Sequence, residues 1–186
     1  MTENLGKEPH EPASPFPRRQ AERLMLTLRP AQPEDTPLIL SYIRELALYE
    51  KAPEKAVATD ADMRAALFGE RPLARVIMAQ WEGRDAGFAL FFNIFSTWEG
   101  KPGLYLEDLF VRPEFRGHGI GKALLKRLAA IALEKGCTRF QWAVLDWNQP
   151  AIDFYDLQGA KVLREWLTCR VEGEALARLA ADINPV

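Results

Sequence analysis

The sequence predicts a single α/β (α+β) domain, and three observations carry that prediction. Short apolar runs alternate with amphipathic stretches in the order β, α, α, β, β, β, α, β, α, β, read from periods near 2 and 3.6 residues. Three alternating glycines, Gly117, Gly119 and Gly121, join an apolar strand to a long amphipathic helix. A chain of 186 residues, 48% of them hydrophobic, suits one core, because domains commonly run to about 100 to 200 residues. No internal repeat or low-complexity segment competes with this reading.

Residues 1–24 carry Pro9, Pro12, Pro15 and Pro17 among charged residues, a composition too poor in apolar surface to offset ordering. They are expected to form a disordered tail, with the folded domain spanning 25–186. Leu26, Thr27, Leu28 and Arg29 open it as a strand. Residues 33–51 read as a helix burying Leu38, Ile39, Tyr42, Ile43, Leu46 and Tyr49. A short helix follows, capped at Thr59, where T-x-x-D stands in for a capping box. Strands are expected at 74–81 and 85–95, joined around Gly83, and at 104–111. Ile120, Leu124, Leu128, Ile131 and Ala132 then recur at helical spacing to about Lys135. Residues 139–145 read as a buried strand, and Pro150 and Gly159 bracket a helix over 150–157. Residues 161–171 should supply the last strand or strands.

Composition excludes several classes of function. The formal net charge is −2 with acidic and basic residues interspersed, so nothing marks a footprint for nucleic acid or an anionic membrane. No apolar run approaches the roughly 20 residues of a membrane span, and the polar start lacks the core of a signal peptide, so a cytoplasmic protein is expected. Cys137 and Cys169 are too few for a disulfide framework and are expected to be buried thiols. With His10 and His118 alone, no cluster has metal-ligand spacing, and no metal is expected.

The glycine junction is the part of the chain that speaks to chemistry. Glycine at 117, 119 and 121 lets backbone N–H groups turn inward at a helix N-terminus, where about half a positive charge resides, so a pyrophosphate is the natural guest. A dinucleotide fingerprint counted from Gly117 would need glycine where Lys122 stands, and a Walker A loop would need Ser or Thr where Ala123 stands. A turn that merely caps the helix is the plain alternative. What fits is Arg-x-x-Gly-x-Gly at 116, 119 and 121, and here the chain resembles the GCN5-related N-acetyltransferase (GNAT) superfamily, whose loop of this pattern holds acetyl-CoA.

The resemblance narrows further. Leu28-Arg29-Pro30-Ala31, Glu45-Leu46-Ala47 with Tyr49-Glu50, Ser96-Thr97-Trp98, Tyr105-Leu106-Glu107-Asp108 and Val144-Leu145-Asp146-Trp147-Asn148-Gln149 with Phe154-Tyr155 resemble the diamine (spermidine/spermine) acetyltransferase family, best in its thialysine branch. The similarity runs in order from about Leu26 to Ala160 and weakens beyond, where the connection before Trp166 is shorter. It implies a mixed sheet of about six to seven strands with helices on both faces, acetyl-CoA as co-substrate and a homodimer. In polyamine-specific relatives an Asp stands two residues before the tryptophan, where this chain has Ser96. That departure points to thialysine or a lysine-like amino acid ahead of spermidine.

Site residues follow from chemistry and resemblance together. An amine with a pKa near 10.4 is protonated at pH 7, its free base about 4.6 kcal/mol uphill, so something must take the proton. Glu107 and Asp108 interrupt an apolar strand, and neighbours on a strand point to opposite faces, so the two are expected to do different jobs. The resemblance makes Glu107 the base, through a water; an ion pair with Arg or Lys is the alternative. Asp108 is read as a structural hydrogen-bond partner beside the acceptor. Asn148, Ile152 and Tyr155 share a helix face, and the resemblance makes Tyr155 the general acid, with a core tyrosine and an N-cap asparagine as the plain alternatives. Leu109, Phe110 and Val111 would offer backbone N–H groups to the thioester oxygen. Arg116, Gly117, His118, Gly119, Ile120, Gly121, Lys122, Asn148, Ala151 and Tyr155 would contact the cofactor, His118 itself facing solvent. Tyr49, Glu50 and Trp98, with Glu107 and Asp108, would form a small cationic pocket for the acceptor. Two other classes stay open: a protein-lysine or N-terminal acetyltransferase, which needs an open groove, and a non-catalytic acyl-CoA-binding regulator.

Overall fold

A computed structural model describes residues 25–181; the expectation for the tail falls outside them. These residues divide after Ala143 into two compact units. The first holds one five-stranded sheet, ordered β1 (Leu26–Pro30), β2 (Arg75–Trp81), β3 (Arg84–Ser96), β4 (Lys101–Val111) and β5 (Arg139–Gln141). Neighbours run antiparallel except β4 and β5, which are parallel, so the sheet is mixed. Helices α1 (Thr36–Tyr49), α2 (Asp60–Phe68) and α3 (Ile120–Glu134) complete the unit.

Period-2 patterning dictates how the sheet is covered. Val76, Met78, Phe88, Leu90 and Phe110 share one face and bury against Ile39 and Tyr42 of α1 and Leu67 of α2. Their sequence neighbours Ile77, Ala79, Ala89 and Phe91 point the other way and are buried as well, with Leu104 and Leu106. That second face is covered by α3, which packs on β2 through β5 and buries Ile120, Leu124, Leu128 and Ile131. Burial on both faces explains why the central strands read as continuous apolar runs.

Local chemistry sets the junctions. Trp81 pairs with Arg84, and the two residues between them, Glu82 and Gly83, both have positive φ (51° and 74°), the backbone of a tight hairpin turn. Thr59 accepts from the Asp62 N–H while the Asp62 carboxylate accepts from the Thr59 N–H, so the expected capping box starts α2. Arg29 donates to both carboxylate oxygens of Asp35, at 2.6 and 2.7 Å, tying β1 to the entrance of α1 and holding Asp35 below the usual carboxylate range. Residues 33–35, expected as the first turn of that helix, form a separate 3₁₀ turn.

Three expectations need correction. The sheet has five strands rather than six or seven, β5 ends at Gln141 rather than running to 145, and residues 161–171 form no strand. Apolar alternation marks a segment able to pair, but only a partner edge makes it a strand. Val162, Leu163, Trp166 and Leu167 are all exposed. Cys169 is exposed and Cys137 partly so, against the expectation of buried thiols. The second unit holds α4 (Gln149–Asp156) and an unforeseen amphipathic helix, α5 (Gly173–Ala181). Asn148 caps α4 by accepting from the Ala151 N–H at 3.4 Å, and Gly159, at φ 86°, follows its end.

Candidate functional site

The glycine junction takes the conformation its sequence demands. After β4, residues 113–115 make a 3₁₀ turn, then Gly117 and Gly119 adopt φ of 83° and 76°, and Gly119 becomes the N-cap of α3 without any side-chain cap. A Cβ built on either glycine would meet nothing within 4 Å, so backbone conformation rather than crowding requires glycine and the space before the loop is open. The N–H groups of Ile120, Gly121 and Lys122, in the first turn of α3, have no acceptor within the helix. This combination fits a pyrophosphate.

Two side chains brace the loop. The His118 ring lies 4.7 Å from that of Trp81, with Nδ1 3.1 and 3.2 Å from the Arg116 and Phe115 carbonyls. The residue is exposed, as expected, but these contacts hold its ring in place. Arg116 donates from Nε to the Val111 carbonyl at 3.0 Å, and its guanidinium lies 5.3 Å from the centroid of the Tyr49 ring.

Alongside the loop, β4 has an open edge. Strand β5 pairs with Gly103, Leu104 and Tyr105 alone, leaving 106–111 without a strand partner on that side among the described residues. The Arg112 N–H donates to Ala86 at 2.9 Å, so by antiparallel alternation the Phe110 N–H also points to β3. The N–H groups of Leu109 and Val111 point to the open edge. Of the three N–H groups expected for the thioester oxygen, these two face the open edge and that of Phe110 faces β3.

The carboxylates sit on an irregularity. Leu90 pairs with Asp108 and Phe91 with Leu106, so Glu107 is an extra residue, a β-bulge. The bulge resets the alternation: Tyr105 stacks on Phe92 at 5.2 Å, and Asp108, three residues on, lies opposite Leu90, both on the face covered by α1. Glu107 and Asp108 are thus not separated onto opposite faces as unbroken alternation would require. Asp108 takes no hydrogen bond among the described residues, against the structural role expected for it. Burial first, then the charges of Glu107 and Glu50, push its pKa up to about 6. Glu107 is exposed and pairs with no Arg or Lys among the described residues, so the ion-pair alternative is not realised. Glu50 terminates α1, and the protein around its carboxyl raises its pKa too. Three carboxylates converge there.

Other assignments fall elsewhere. Trp98 lies on the turn between β3 and β4, beyond the Ser96–Lys101 pair, and Glu107 is six residues farther along the strand, about 20 Å away. In one chain Trp98 does not join Tyr49, Glu50 and Glu107. In the second unit, Asn148 caps α4, Ala151 supplies the N–H it accepts, and Tyr155 stands seven residues on, its ring 5.3 Å from that of Phe154. Sequence reasoning overlooked Arg112, whose guanidinium bonds Glu45, 67 residues away; no spacing rule signals such a pair. No group of His, Cys, Asp and Glu among the described residues could hold a metal ion, and no described helix is long and apolar enough to cross a membrane.

A mixed sheet with a glycine loop at a helix N-terminus, an open strand edge and clustered carboxylates has the form of an acyltransferase, and comparison with known proteins agrees. The acetyltransferase (GNAT) family model matches residues 40–160. The chain is 43% identical over 164 residues to the thialysine N-epsilon-acetyltransferase of Sus scrofa, covering 82% of this chain and 96% of that protein. It is 31% identical over 199 residues to the L-ornithine N5-acetyltransferase NATA1 of Arabidopsis thaliana, covering 83% and 87%. Among solved structures, the integron cassette protein VCH_CASS6 from the mobile metagenome of V. cholerae superimposes with a TM-score of 0.71 at 31% identity, over 84% of this chain and 98% of that one. The chain belongs to the acetyltransferase (GNAT) family and is an acetyltransferase.

Proposed function

We propose that this enzyme transfers the acetyl group of acetyl-CoA to the primary amine of a small molecule, a thialysine-like or ornithine-like amino acid ahead of a polyamine. The observation that carries this is the convergence of Glu50, Glu107 and Asp108 where the end of α1 meets the bulge of β4, an acidic site for one ammonium beside an open strand edge. The thialysine and ornithine acetyltransferases among the relatives support that acceptor class. Tyr49 can line the aliphatic stem and add a cation–π contact of about 0.5 to 2 kcal/mol.

Acetyl-CoA supplies an activated thioester; the chain supplies position and proton transfer. Residues 116–122 would hold the pyrophosphate, with Asn148 and Ala151 contacting the cofactor as the family resemblance implies. The N–H groups of Leu109 and Val111 would stabilise charge developing on the acyl oxygen. A carboxylate beside an ammonium raises the amine's pKa, which helps binding and opposes deprotonation. Glu107, exposed on the bulge, meets that conflict by taking the proton through water. Asp108, titrating near 6, sets the pH at which the carboxylate pair carries its full charge. Tyr155 would protonate the leaving thiolate through its phenol hydroxyl, the role the family resemblance implies. The proposal extends to a cytoplasmic location and to a homodimer, the latter supported by the exposed apolar side chains of the second unit.

The test is a panel of amines with acetyl-CoA, scored for free thiol. Thialysine and ornithine should show higher kcat/KM than spermidine or putrescine. The reverse order would favour a polyamine acetyltransferase, and turnover of peptide amines alone would refute a small-molecule acceptor.

A further inference from the structure

The turn leading into the glycine loop is held by side chains of α1. Arg112 donates from Nε to both carboxylate oxygens of Glu45 at 3.2 Å and from Nη2 to Glu45 at 2.9 Å and to Ser41 Oγ at 3.4 Å. Its guanidinium lies 4.8 Å from the centroid of the buried Tyr42 ring. Four residues later, Arg116 lies over Tyr49. Ser41, Tyr42, Glu45 and Tyr49 occupy one helical face, so both arginines that bracket residues 113–115 reach back to the same stripe of α1. Arg112 is also the residue on which that turn begins, its carbonyl accepting the Phe115 N–H at 2.9 Å.

We propose that Glu45 and Arg112 form a positioning pair that sets the glycine loop from α1, so that the affinity for acetyl-CoA depends on a helix whose far end, Tyr49 and Glu50, belongs to the acceptor site. The inference rests on the assignment of residues 116–122 to acetyl-CoA. The two groups are partly exposed, with side-chain exposures of 27% for Arg112 and 36% for Glu45, so the pair contributes little to global stability. Its geometry is nevertheless specific, because a planar guanidinium bonded to both carboxylate oxygens fixes direction as well as distance. What it orders is the backbone of the turn, and through it the donors of the loop.

The experiment is calorimetry with coenzyme A as the probe, alongside steady-state kinetics with acetyl-CoA and thialysine. Glu45→Ala should raise the coenzyme A Kd and the acetyl-CoA KM about five- to tenfold while kcat and the acceptor KM stay within about twofold. Glu45→Gln, which keeps the shape and one acceptor oxygen but puts an NH2 donor in place of the other and removes the charge, guards against a misfolded alanine variant and should raise them about threefold. Glu45→Asp should recover part of the loss. A merely structural role would lower Tm without this split. Wild-type coenzyme A affinity in folded Glu45→Ala or Glu45→Gln would overturn the proposal, as would an equal fall in kcat with KM unchanged. The calorimetric arm needs no acceptor, so failure of thialysine as a substrate leaves it intact. Absence of coenzyme A binding in the wild type would instead remove the cofactor assignment and this inference with it.

Discussion

Asp108 is the residue where stability and function pull apart. Its carboxyl titrates near 6 in the fold against an ordinary 3.8, so between those values the native state binds more protons than the unfolded chain. Stability is therefore fully present below about pH 4 and falls as pH rises toward 6, by up to about 3 kcal/mol. Asp108→Asn should raise Tm at pH 7.5 by several degrees and leave it nearly unchanged at pH 4, the same substitution removing the limb of the pH–rate profile near 6. Differential scanning calorimetry at the two pH values decides this; an equal shift at both would mean that Asp108 is not the strained group. Tyr155→Phe should lower kcat by roughly a hundredfold or more with both substrates still binding. An unchanged kcat would reduce Tyr155 to packing.

Two glycines test the elements around the site, for different reasons. A Cβ on Gly87 would lie 2.3 Å from the Phe110 carbonyl oxygen, so the β3–β4 ladder that carries the bulge tolerates no side chain there. Gly87→Ala should destabilise the fold by about 1 to 3 kcal/mol, read as a lower denaturation midpoint, and should depress kcat by disturbing β4. Gly119→Val meets no such clash, but φ of 76° is unfavourable for a branched side chain and the phosphate approach would be obstructed. Its signature should be a raised acetyl-CoA KM with the acceptor KM unchanged; wild-type affinity for coenzyme A would show that the loop is only a helix cap. The glycine loop was legible in sequence because glycine and a helix start are local signals. The bulge was not: it is a relation between β4 and β3, and an acidic pair in an apolar strand looks the same whether or not a residue is extra.

For the whole molecule, the second unit leaves Leu163, Leu167 and Leu179 more than half exposed, side chains that a second copy would cover in the homodimer proposed above. Sedimentation should therefore report a dimer, and the double substitution Trp166→Glu with Leu167→Glu should shift it to monomer. A wild-type monomer at micromolar concentration would leave this surface without the proposed partner. Trp98, on the hairpin turn and about 20 Å from Glu107 in its own chain, belongs to the same question of scale.

By itself the sequence determined most elements of the first unit, the glycine loop, the capping box at Thr59 and the resemblance to the family that the chain proves to belong to, and it left the N-cap at Asn148 as one of two readings. All are written in patterns a few residues long or in collinear motifs, which survive without knowledge of the fold. Tertiary structure alone decided the rest. It broke the alternation at Glu107 and turned Asp108 toward α1, aimed the N–H groups of Leu109 and Val111 at an open edge, joined Arg112 to Glu45, and withheld strand pairing from 161–171. Each of these depends on which segment lies alongside which, and the free energy of such contacts comes from partners distant in the chain, whose identity no local pattern encodes.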